Sequence, residues 1–293
     1  MFDLPIPELA LFILIVILCS VAAVVGILQL LRPGEKLRRS LFALVLLAVT
    51  LEAIILIFRA IAIKAVPLTG LFESMIVLTI VFGLTFLFLN IAIHKVWFSS
   101  VMVWVMLLLV LMAGIVAKPA SQAHAAASTA WAIAHAVAMI LGGASAMLAT
   151  TSAVLYLFAE RKLKQKNLLP VLGKIPNIEK LEQMNIIGLK LCFALMTFGL
   201  ASGIGMAATS ASLNMTAIDW LTDAKIVLIA IVWLLLGTIM VMWKTAKLKQ
   251  KKIAHATLVA FALILFAIVG TSVFCGTGHN FAGSEIEAAE QTK

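Results

Sequence analysis

Five histidines, three cysteines and a few acidic residues set in apolar surroundings are the groups through which this chain could do chemistry. Imidazole is the commonest metal ligand among side chains. His135 closes the segment Trp131-Ala-Ile-Ala-His135, and His279 lies in Gly276-Thr-Gly-His279-Asn-Phe281. His94 and His255 stand beside lysines at the ends of apolar runs, and His124 lies in a loop of alanines and serines. Glu52 and Arg59 interrupt one apolar run, and Glu73 opens the next. A further cluster is Asp219-Trp220-Leu-Thr-Asp223-Ala-Lys225. Cys19, Cys192 and Cys275 are far apart, with no C-x-x-C for thiol–disulfide exchange, and read as small buried hydrophobes. No H-E-x-x-H motif and no Ser-His-Asp arrangement is visible, so whether the chain is an enzyme is left open.

The elements that must position these groups are membrane helices. Hydrophobic residues make up 63% of the chain and charged residues 12%, against roughly half and a quarter in ordinary globular chains. Eight apolar segments, about 9–31, 40–63, 72–93, 98–117, 130–157, 185–209, 224–243 and 254–275, each reach the roughly 20 residues a helix needs to cross the hydrocarbon core. They are too long for barrel strands, and in lipid a helix satisfies its own backbone. The expected fold is all-α and polytopic. Asp3 and Glu8 stand where a secretory signal would be basic, so the first helix is expected to be retained.

Charge sets the expected orientation. Arg32, Lys36, Arg38 and Arg39 follow the first segment, Arg161 to Lys180 the fifth, and Lys244 to Lys252 the seventh. These basic loops fall on one side, which the positive-inside rule makes the cytoplasm, with both termini outside. The same rule accounts for the net charge of +9 without nucleic acid as a partner. The stretch after Gly283 is acidic and rich in small residues, and is expected to be disordered. Gly142 and Ala146, and likewise Gly199 and Gly203, have the small-x-x-x-small spacing that lets helices approach closely.

With that orientation, His135 lies about one turn inside the fifth helix and His279 follows the eighth, both at the outer level. Two imidazoles at one depth could clamp a planar metal cofactor, as the axial ligands of a haem do; two unrelated polar residues are the alternative. No C-x-x-C-H is present, so the chain carries no covalent haem of its own. Trp220 could be an interfacial anchor, but its loop joins the outer ends of two helices on the histidine side. Arg59 and Glu73 are expected at similar depth as an ion pair; a buried arginine near an outer site could also hold a haem propionate. Glu52 has no partner visible in sequence and is expected to be neutral if buried.

In order along the chain, the segments resemble the cytochrome c assembly family, the CcsA-type haem-handling proteins and their HemX-like relatives. Pro67-Leu-Thr-Gly-Leu-Phe-Glu73-Ser74 resembles the family's opening of a helix after proline. Trp131 to Tyr156 resembles its first external histidine helix. Glu160-Arg-Lys-Leu-Lys164 with Ile178-Glu-Lys-Leu-Glu182 resembles the HemX-like cytoplasmic connector. Asp223-Ala-Lys225 followed by Trp233 resembles the end of the tryptophan-rich loop, and Gly278-His279-Asn-Phe281 the second external histidine. The resemblance covers 65–281, after a two-helix segment at 1–64 and before a tail at 282–293.

The resemblance implies a component of c-type cytochrome biogenesis in the bacterial cytoplasmic membrane. It would bind b-type haem non-covalently and transiently at the outer face, with His135 and His279 as axial ligands. Trp220, Asp223 and Lys225 would border the macrocycle, and the haem would pass to an apocytochrome c with the help of another assembly membrane protein. Two departures matter: the loop has one tryptophan, and Val241 stands where family synthetases place an intramembrane histidine. The HemX-like branch is the nearer match. The alternatives are a regulatory or scaffolding membrane protein without tightly bound haem, and a small-molecule transporter built on Glu52.

Overall fold

A computed structural model describes residues 4–32, 34–63, 71–92, 96–115, 129–165, 177–209, 223–245 and 249–271. Every element among them is helical. They are α1 (Ile6–Leu31), α2 (Glu35–Ile63), α3 (Leu71–Ala92), α4 (Val96–Ile115), α5 (Ala130–Lys164), α6 (Ile178–Thr209), α7 (Ala224–Lys244) and α8 (Gln250–Leu265). A π-helical turn, Phe266–Gly270, continues α8. All eight are long and apolar enough to cross a membrane, so the chain is a multi-pass membrane protein. The large exposed hydrophobics fit a lipid surface, among them Ile6, Phe88, Leu234 and Val241; in water such an apolar belt would aggregate.

α1 packs on α2 and α4, and α3 on α2 and α4, which makes the N-terminal helices one group. α3 and α4 join it to α5, which also carries α6 and α8, while α7 lies on α6 and α8. The α5–α6 seam is the most extensive contact in the fold. Small residues make it possible, as their spacing predicts. A Cβ on Gly188 would stand 2.9 Å from the Ala149 Cβ and 3.0 Å from the Ser145 carbonyl oxygen, so the helices meet nearly backbone to backbone there. Further along, Gly142 faces Leu195 and Gly199 faces Met139. Asn185 donates to the Ala149 carbonyl at 3.0 Å and to the Thr257 hydroxyl at 3.2 Å, tying α6 to α5 and α8.

Four helix ends depart from the hydropathy reading. α2 begins at 35 rather than 40, α5 runs to 164 rather than 157, α6 starts at 178 rather than 185, and α8 starts at 250 rather than 254. Hydropathy finds only the part of a helix that lies in hydrocarbon. α5 has 35 residues, about 52 Å at 1.5 Å per residue, well over the roughly 30 Å of a bilayer core. Its excess carries Glu160, Arg161, Lys162 and Lys164, whose cations suit a helix C-terminus. On α6 the Lys190 ammonium sits 4.3 Å over the Trp243 ring, a cation–aromatic pair of the kind that marks a membrane interface. The first turns of α6, with Glu179, Lys180 and Glu182, likewise extend the helix past the apolar segment.

Candidate functional site

α5 begins where Thr129 caps it, its hydroxyl accepting from the Ala132 amide at 3.2 Å. That start fixes the register of the next two turns, which carry Trp131 and His135 toward α6. The His135 Nδ1 lies 2.7 Å from the Gly199 carbonyl oxygen. A carbonyl can only accept, so Nδ1 donates, and in a neutral imidazole with that tautomer the lone pair is on Nε2. The same oxygen accepts from the Ser202 hydroxyl at 2.9 Å. Gly203 makes room for the ring: a Cβ there would stand 3.1 Å from Nδ1 and 3.3 Å from Cε1. Gly205 does the same for Trp131, whose ring atoms would lie 3.0 Å from its Cβ. The glycines that let α6 approach α5 thus also seat the two aromatic side chains at this end of the seam.

Beside the seam runs an apolar groove of about 530 Å³, lined by Ile133, Ala134, Val137, Ala138 and Leu141 of α5 with Leu195 and Phe198 of α6. The groove is lined by apolar side chains alone, and His135, its ring turned to Gly199 and Gly203, is not among them. Of the expected set, His279 and Trp220 lie outside the described residues, as do His94, His124 and Cys275.

Asp223 and Lys225 have a local role. Asp223 is the N-cap of α7, its Oδ1 accepting from the Lys225 backbone amide at 2.8 Å. Arg59 makes the ion pair expected with Glu73, Nε to Oε1 at 3.0 Å. It also faces a carboxylate that the sequence did not suggest, Glu8 of α1, Nη1 to Oε2 at 3.4 Å. All three are nearly inaccessible, so one guanidinium links the ends of α1, α2 and α3. Glu52 is fully buried, and neither of its oxygens has a hydrogen-bond partner among the described residues.

Gly199 and Gly203 were visible in sequence only as packing residues, and Ser202 was not singled out. The small-x-x-x-small spacing pointed to their place, but the hydrogen bond of a backbone carbonyl to a histidine 64 residues away leaves no local signal.

Eight membrane-crossing helices, with a single-tautomer histidine near one end of the tightest seam, define a polytopic helical membrane protein with a candidate ligand site toward one face. The model of the cytochrome c assembly protein family matches residues 9–277, and the chain belongs to that family. Its role therefore lies in c-type cytochrome biogenesis. No curated protein matches the sequence.

Proposed function

We propose that this chain binds haem at the outer face of the bacterial cytoplasmic membrane and holds it for delivery to an apocytochrome c. His135, through Nε2, and His279 would hold its iron, and another assembly membrane protein takes part in the transfer. The observation that carries the reading is the 2.7 Å bond from His135 Nδ1 to the Gly199 carbonyl, because it fixes the tautomer whose Nε2 can bind a metal. The groove along α5 and α6 gives an apolar face of the macrocycle somewhere to lie out of water. Trp220, Asp223 and Lys225 border the macrocycle, with the cap at Asp223 setting where the preceding loop meets α7. Arg59, already opposed by two buried carboxylates, braces the neighbouring helix ends rather than holding a propionate. Bound haem brings the vinyl groups that an apocytochrome's own thiols attack, so this chain need only ligate, orient and shield.

A second reading is regulatory. α5 and α6 extend past the hydrocarbon with Arg161, Lys162, Lys164 and Lys180 on them, a surface through which a scaffolding protein could act without tightly bound haem. A strain deleted for this chain separates the two. The haem-holding reading expects c-type cytochromes to lose covalent haem, seen by haem staining of denaturing gels, and to regain it with the wild type but not with His135→Ala. Normal staining in the deletion strain, with altered cellular haem content, would favour the regulator.

A further inference from the structure

Glu52 and Arg59 share the buried face of α2, two helical turns or about 10 Å apart along its axis. One turn inward of each member of the Glu8–Arg59–Glu73 cluster the chain is apolar: Phe12 below Glu8, Ile55 below Arg59 and Ile76 below Glu73, each 0% exposed. Glu52 lies beneath that layer, also 0% exposed, with both oxygens lacking a hydrogen-bond partner among the described residues. The helices packed against α2 are α1 and α3. Their titratable residues within the described chain are Glu8 and Cys19 on α1 and Glu73 on α3. Cys19 is buried and close enough to interact electrostatically with Glu52. None of these groups brings a positive charge, and Arg59 already faces two carboxylates.

A buried carboxylate with no hydrogen-bond partner among the described residues is costly to ionise, and an ionisable residue at such depth marks a functional position. We propose that Glu52 is an intramembrane proton-binding site that carries one proton at rest and exchanges it with water at the Glu8–Arg59–Glu73 end of the bundle. Release breaks the carboxyl O–H bond, the proton passes to water and the carboxylate remains; uptake is the reverse. The exchange is assigned to that end by distance, the proton crossing the one apolar layer of Phe12, Ile55 and Ile76. Arg59 lies about 10 Å away along α2, whereas Arg38 at the other end lies fourteen residues or about 21 Å away. This site is separate from His135 and does not depend on the haem reading.

The test is infrared spectroscopy of the full chain in sealed vesicles, with Glu52→Gln subtracted from wild type. The expected result is a protonated-carboxyl C=O band that is present in wild type, absent in the variant, and weakened when the pH is raised only on the side where α1 begins. Glu52→Asp, which keeps the acid, should restore a shifted band; it serves as the reference if Glu52→Gln fails to fold. A wild type with no such band overturns the proposal. So does a band that ignores pH on both sides, or one that follows the pH on the opposite side.

Discussion

Replacing Gly203 by alanine tests whether α6 is built around the His135 ring. The added methyl would lie 3.1 Å from Nδ1 and 3.3 Å from Cε1, a few tenths of an ångström inside ordinary contact. The ring cannot simply retreat, because Nδ1 is bonded at 2.7 Å to Gly199, one turn back on the same helix. Retreat stretches that bond, whose net worth is about 1 kcal/mol. Staying put overpacks the seam, at about 1–3 kcal/mol. The expected destabilisation of Gly203→Ala is therefore about 1–3 kcal/mol. In a His135→Ala background the methyl has no ring to meet, and the same change should cost close to nothing. Thermal or denaturant unfolding in detergent of the wild type, both single variants and the double variant gives the coupling directly. A coupling of about 1–3 kcal/mol is expected. If Gly203→Ala costs the same with and without the imidazole, the ring does not occupy the place described and the argument for its tautomer fails with it.

Other outcomes follow from the same structure. Arg59→Ala strands two buried carboxylates and should destabilise the fold by about 3–5 kcal/mol, while Glu8→Gln, Arg59→Met and Glu73→Gln together should come close to wild type in Tm. Gly188→Ala places a methyl 2.9 Å from the Ala149 Cβ and 3.0 Å from backbone atoms of α5, so it should lower Tm more than Gly203→Ala, since backbone gives less readily than a side chain. Asp223→Ala removes the α7 cap and should cost about 0.5–2 kcal/mol. Haem titration of that variant then shows whether Asp223 does more than cap: affinity within about twofold of wild type fits a cap alone.

Much of the fold was legible because lipid imposes a simple rule. A segment such as 9–31 or 224–243 has the length and apolarity of a span and too few charges for anything else. The Arg59–Glu73 pair was legible for a related reason, as two charges near the ends of consecutive helices. Glu8 was missed because its partner lies 51 residues away and nothing in the first helix marks which face turns inward. The extensions of α5 and α6 were missed because charge lowers hydropathy while the helix itself continues. At the candidate site, depth and side singled out His135. The orientation of its ring depends on the Gly199 carbonyl and on the glycine face at Gly203 of another helix, which no pattern within α5 encodes.

The central claim is tested most directly by the absorption spectrum of the detergent-purified protein expressed with ample haem, beside His135→Ala and His279→Ala, with and without added imidazole. The account predicts a Soret band of bis-histidine character in the wild type, lost in each variant and restored by imidazole. A wild type that carries no haem, or a band that survives His135→Ala unchanged, would contradict it.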